Sequence, residues 1–123
     1  KDVVIIEGQG SILHPGSTAA LPLMRGSCPT HLVLCLRAEK QTLRSPENLR
    51  IPDLEKFIQL NESLCSVFAT FPQSKVIGVA ANTSTFSEEE SVNYIAALEE
   101  KLQLPVTDPI RFGMKKIADA IEL

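Results

Sequence analysis

A carboxylate, three glycines and a histidine fall close together in "EGQGSILHPGS", residues 7 to 17. Glu7 closes a run of four β-branched apolar residues, Val3 to Ile6. An acid fixed at the end of a strand is hard and anionic, which suits magnesium held directly or through water, as in phosphate-handling α/β domains. The bland alternative is a side chain that hydrogen-bonds the loop after it. Gly8, Gly10 and Gly16 let backbone approach a ligand or turn left-handed. With Gln9 and Ser17 they would cradle an anion, because a helix starting near Gly16 aims free N–H groups at negative charge. His14, beside Pro15, has the chemistry of a general acid or base at neutral pH. It reads equally as an exposed or hydrogen-bonded loop residue.

Three further groups sit just after apolar runs. Arg37 follows "HLVLCL" and would neutralise a phosphate or carboxylate, or pair with Glu39 on the surface. Asn82 and Thr83 follow "KVIGVAA" and would read a base or substrate, or simply shape the turn. Asp108 follows "LPVT" and precedes Pro109, the pattern of a helix cap with proline at the first helical position, and its carboxylate is also a candidate cofactor-binding group. No G-x-x-x-x-G-K-[ST] occurs, Gly8 and Gly10 lack the third glycine of a dinucleotide fingerprint, and no G-x-S-x-G marks a nucleophilic serine.

What must position these residues is a set of strands alternating with helices. Asp2 to Ile6 reads as a strand buried on both faces, since it is apolar without alternation. A helix is expected over Gly16 to Arg25, capped by Ser17 or Thr18, ended by Gly26 and kinked or shortened by Pro22. His31 to Leu36 reads as a second, covered strand. Residues 37 to 52 show no period and form a long loop. Asp53 caps a helix to about Ala69, with Leu54, Phe57, Ile58, Leu64, Cys65 and Phe68 on its inner face. Lys75 to Ala81 is the third strand. Ser87 and Glu90 make a capping box for a helix to about Leu102, with Val92, Ile95, Leu98 and Leu102 facing inward. A short strand surrounds Val106, and a last helix, Ile110 to Ile121, faces Ile110, Met114, Ile117 and Ile121 to the core. This order predicts an α/β fold, a three-layer α/β/α parallel sheet whose ligand lies at the strands' carboxyl ends, where strand order reverses. Glu7, Arg37, Asn82 and Asp108 would then share one rim.

The 123 residues suffice for one domain with a core. A net charge of −3 gives no footprint for nucleic acid or a polybasic membrane surface. No apolar run spans a bilayer, and no signal peptide is seen. Cys28, Cys35 and Cys65 lack metal-site spacing and read as buried free thiols of a cytoplasmic protein. The chain starts at Lys1, two residues from an apolar run, so we expect a piece of a longer polypeptide.

The blocks "EGQGSILHPGS", "GSCPTHLVLC", "IPDLEKFIQLNE", "KVIGVAANT" and "LPVTDPIRFG" together resemble a bacterial and archaeal P-loop-NTPase-like family, long of unknown function, that includes the DgcN-type D-glutamate N-acetyltransferases. The resemblance spans nearly the whole chain, with "EGQGS…HP" and "LPVTDP" its most specific parts. It implies a P-loop-type domain similar to dethiobiotin synthetase, preceded by a Rossmann-like domain. Residues 1–123 would be the distal part of that second domain, without its phosphate-binding loop. It further implies that Glu7 matches the magnesium-associated acid of "EGAGG" in dethiobiotin synthetases, and Asn82 their base-reading asparagine. The expected activity is acyl transfer to an amino acid such as D-glutamate, using acetyl-CoA, or ATP and magnesium in a ligase or kinase. The expected partners are the missing N-terminal part of the polypeptide, a small-molecule substrate and further copies of the chain. A non-catalytic structural or oligomer-forming half is the competing expectation.

Overall fold

Three apolar runs assemble one parallel sheet, in the order β1 (His31–Arg37), β2 (Lys75–Asn82), β3 (Val106–Thr107). The computed structural model describes residues 3–17, 19–43 and 48–121. His31 pairs with Lys75 and Arg37 with Asn82, with one irregularity between Leu32 and Val33. Val79 pairs with Val106 and Ala80 with Thr107. The parallel α/β expectation therefore holds. Strand order does not reverse among the described strands.

The chain divides into two compact units, one within Lys1–Thr30 and Gln41–Ser74, the other within His31–Lys40 and Lys75–Glu122. The second unit holds the sheet. Its core is Val76, Val79, Ala81, Ile95, Leu98, Val106 and Ile117, all buried. α3 (Glu88–Leu102) supplies Ile95 and Leu98 at helical spacing. Its start is fixed by the expected capping box: Ser87 Oγ accepts from Glu90 N at 3.2 Å and Glu90 Oε2 accepts from Ser87 N at 2.7 Å. Three acids in the first turn suit the positive end of the helix dipole. Val92, expected inside, is 50% exposed, because the buried stripe runs through Ser91, Ile95 and Leu98 instead.

The last predicted helix is two. α4 (Pro109–Phe112) and α5 (Lys115–Ala118) are separated by Gly113, at φ 75° and ψ −178°, a conformation open essentially to glycine alone. The break turns Ile110 and Met114 outward while Ile117 stays buried. Gly78 lets α5 sit close on β2: a Cβ there would lie 2.8 Å from Ile117 Cγ1 and 3.1 Å from the Pro105 carbonyl oxygen. Lys116 Nζ, 2.8 Å from Glu99 Oε1, ties α5 to α3, and the same oxygen accepts from Val106 N at 2.9 Å.

In the first unit, α1 (Ala20–Ser27) starts later than expected. Pro22 falls in its first turn, where a missing N–H costs nothing, so no kink results. Thr18, one of the expected caps, lies outside the described residues, and Ala19 makes no side-chain cap. α2 (Leu54–Ser66) is capped by Asp53 Oδ1, which accepts from Glu55 N at 3.0 Å. Phe57 and Cys65 are buried as expected. Phe68 is not: the helix stops at Ser66, three left-handed residues follow, Val67 to Ala69, and the ring is 89% exposed. Residues 38–53 hold no helix or strand among those described, only an antiparallel bridge between Thr42 and Arg50.

Residues 3–9 form no strand, and Val4 and Ile5 are 79% and 88% exposed. Apolar β-branched residues favour a strand but cannot make one without a neighbour to complete the ladder. Asp2, the predicted first residue, lies outside the described part. β1 is not covered on both faces: Val33 and Cys35 are exposed, alternating with half-buried Leu32, Leu34 and Leu36. Cys28 is exposed too, so only Cys65 is the buried thiol expected, and none of the three forms a disulfide. Burial pushes the Cys65 thiol up from its usual value, against a hydrogen bond with Ser74.

Candidate functional site

The carboxyl ends of β1, β2 and β3 bring Arg37, Asn82, Thr83 and Asp108 into one unit, as the rim expectation requires for these residues. Asp108 is the centre. Its Oδ2 accepts from the Thr83 backbone at 2.9 Å and from the Thr83 hydroxyl, and its Oδ1 accepts from Ile110 N at 2.9 Å and Arg111 N at 3.2 Å. Burial pushes this carboxyl up, but the Thr83, Arg111 and Ile110 hydrogen bonds outweigh burial and hold it below the ordinary carboxylate range. A carboxylate so fully used is a structural anchor. It caps α4 as its sequence context predicts and fixes where Asn82 and Thr83 lie.

Arg111, a residue the sequence did not single out, completes this anchor. Its Nη2 donates to the Phe86 carbonyl at 2.7 Å and lies 3.4 Å from the Thr83 carbonyl. Its Nε is 3.9 Å from Asp108 Oδ2. A basic residue three positions after a cap was the available signal, but its partners lie 25 and 28 residues away.

Asn82 is exposed, and its Oδ1 accepts from Ser84 N at 3.0 Å in an Asx turn. The turn-shaping reading thus holds: the side-chain carbonyl is used in the turn. Arg37 makes the expected ion pair: Nε lies 3.2 Å from Glu39 Oε1, with the Arg37 side chain 55% exposed. Ala38 N donates to the Asn82 carbonyl at 3.0 Å, so the turn bearing Glu39 is fastened to the end of β2.

Glu7, Gly8, Gln9, Gly10, His14 and Ser17 lie in the other unit. Glu7 is exposed. The loop after it closes on itself. Ser17 Oγ accepts from Ser11 N at 3.3 Å, Ser11 Oγ from Leu13 N at 3.2 Å, the Ser11 carbonyl from His14 N and the His14 carbonyl from Ser17 N, both at 3.0 Å. Gly10 permits the closure with φ 101°, and a Cβ there would collide with the Ser17 hydroxyl. His14 Nδ1 accepts from Gly16 N at 3.0 Å. Five N–H groups of the loop are therefore spent within it, among them those of Gly16 and Ser17, which were expected to face an anion. A backbone N–H always donates, so the neutral imidazole carries its proton on Nε2. In this conformation His14 offers a donor at Nε2. Among the described residues, no three His, Cys, Asp or Glu side chains gather as a metal site. No helix among them is long and apolar enough to cross a membrane.

Residues 1–118 match the family described as "Domain of unknown function (DUF1611_C) P-loop domain". The chain belongs to this family. A crystal structure of a DUF1611 family protein from Anabaena variabilis superposes with a TM-score of 0.90 at 44% identity, over 93% of this chain and 33% of that one. Two relatives carry the name D-glutamate N-acetyltransferase. One, from Tritonibacter scottomollicae, is 31% identical over 118 residues, which is 95% of this chain and 35% of the relative. The other, from a Pseudoalteromonas species, is 34% identical over 114 residues, 92% of this chain and 34% of its own length. The chain thus spans about a third of each of these proteins, and the fold and family expected from the sequence motifs hold.

Proposed function

We propose that this chain is the P-loop-domain part of an acyltransferase that moves an acetyl group onto the amine of D-glutamate or a close acidic amino acid. The observation that carries the reading is the alignment of two relatives of that name along nearly all of it. The transfer forms a C–N bond at the carbonyl carbon of a thioester such as acetyl-CoA and breaks its C–S bond. The amine loses a proton, and the departing thiolate takes one up. Arg37 would meet a carboxylate of the acceptor. Asn82 would donate its amide N–H to an acceptor atom. The other unit offers a donor at His14 Nε2–H, of the kind that polarises a carbonyl, and a carboxylate at Glu7, of the kind that takes up a proton. The rest of the site would come from an N-terminal part of the polypeptide outside this chain, with more than one copy in the assembly.

The family's description as a P-loop domain favours a second reading, an ATP- and magnesium-dependent ligase or kinase. Glu7 would then hold the ion, as a lone carboxylate can when phosphate oxygens and water fill the remaining positions. The full-length protein should be given D-glutamate or L-glutamate with acetyl-CoA, with and without magnesium-ATP, following free thiol and the mass of the amino acid. We expect metal-independent acetylation of D-glutamate, reduced at least tenfold by Glu7→Gln. ADP formation without acetylation would favour the second reading. Neither product from folded protein would leave a structural role.

A further inference from the structure

Glu39 carries an unusual liability. Among the described residues, its Oε2 is the one buried side-chain oxygen or nitrogen without a hydrogen-bond partner. A buried carboxylate oxygen left unpaired costs more free energy than a neutral one, so such atoms normally meet a donor in the working state. The other oxygen, Oε1, holds Arg37 at 3.2 Å. The turn that carries Glu39 is pinned twice, by Lys40 N donating to the Arg37 carbonyl at 3.1 Å and by Ala38 N donating to the Asn82 carbonyl. The carboxylate therefore does not reach its position by loop drift.

Its surroundings suit one kind of donor. Tyr94 is half-buried, and burial, then the charge of Glu39, push its phenol above the ordinary value. Phe86 packs edge-on against Tyr94, ring centroids 5.6 Å apart. A buried carboxylate oxygen without a donor calls for a cationic partner, and an ammonium group supplies charge and N–H together. Arg37, on the same turn and largely exposed, carries the opposite charge. Two opposite charges fixed side by side complement the ammonium and carboxylate of an α-amino acid.

We infer that Glu39 is the ammonium-binding residue of the acceptor site, with Arg37 beside it taking the acceptor's α-carboxylate. This deepens the acetyl-transfer reading and rests on it, since it assigns the atom that meets the amine before that amine is acetylated.

The test is titration calorimetry of the full-length protein with D-glutamate and with glutarate, which lacks only the amine. Wild type should bind D-glutamate roughly tenfold or more tightly than glutarate, the discrimination expected of a charge-assisted hydrogen bond. Glu39→Gln, nearly isosteric, should bring that ratio close to one. Arg37→Gln should weaken both ligands and leave the ratio standing. Circular dichroism checks the fold, and Glu39→Asp, which keeps the charge, should retain part of the preference. If wild type acetylates D-glutamate and Glu39→Gln keeps the full ratio, the assignment of Glu39 is overturned while the activity stands. If wild type neither binds nor acetylates D-glutamate, both fall together.

Discussion

Asp108 Oδ2 accepts both the backbone N–H and the hydroxyl of Thr83, joining the end of β2 to the start of α4 across 25 residues of sequence. Thr83 is fully buried and Asp108 nearly so. Removing the carboxylate would leave a buried N–H and hydroxyl unpaired and uncap α4. Asp108→Ala should therefore cost about 3–5 kcal/mol. Asp108→Asn, which keeps one acceptor oxygen, should cost about half as much. Urea denaturation of the full-length protein measures both.

The same carboxyl sets an acid limb. Its native pKa lies below its unfolded value, which is about 3.9 for Asp. In that window the unfolded chain binds the proton first, so stability rises with pH. The contribution of Asp108 is complete above the unfolded value and disappears as pH falls through the native one. Glu99 shifts the same way: burial raises it, but Lys116 and the Val106 N–H prevail. The urea midpoint should fall below about pH 4, and less steeply in Asp108→Asn. An equally steep fall in that variant would remove Asp108 from the account.

Gly78→Ala tests the contact between β2 and α5. The added methyl would lie 2.8 Å from Ile117 Cγ1, closer than side chains tolerate, and 3.1 Å from the Pro105 carbonyl oxygen, tighter than usual. Ile117 is 2% exposed and cannot swing into solvent. A loss of about 1–3 kcal/mol is expected, as for other overpacked cores. A neutral result would mean that α5 is free to lift.

His14 supplies a spectroscopic check. Its neutral imidazole should be the Nε2–H tautomer, since Nδ1 is held by Gly16 N–H. Long-range ¹H–¹⁵N correlation spectra distinguish the two ring nitrogens. Gly10→Ala, which disturbs both φ and the Ser17 hydroxyl, should release the preference. A protonated Nδ1 in wild type would reopen His14 Nε2 as a base.

Much of the sheet-bearing unit was legible because its signals are local. The capping box at Ser87, the Asp108–Pro109 start of α4 and the apolar runs of β1 and β2 each declare themselves within a few residues. What stayed hidden depends on distant partners. The Val3–Ile6 run has every strand preference and no described neighbour to pair with. Helical spacing placed Ile110 and Ile117 on one face, and a single glycine between them rotated one face out. The candidate rim was legible by residue type, but its division of labour was not. Asp108 is used up by Thr83 and α4, while Glu39, which the sequence showed only as a surface partner of Arg37, keeps an unpaired oxygen.

Arg111 has the widest reach of any residue on the rim. By gripping the carbonyls of Thr83 and Phe86 it holds both shoulders of the turn beside Asn82. A molecule docking at Asn82 would meet a turn already held in place, and little configurational freedom of the protein would be lost. Loosening that grip would be felt as weaker capture at a side chain that Arg111 never touches.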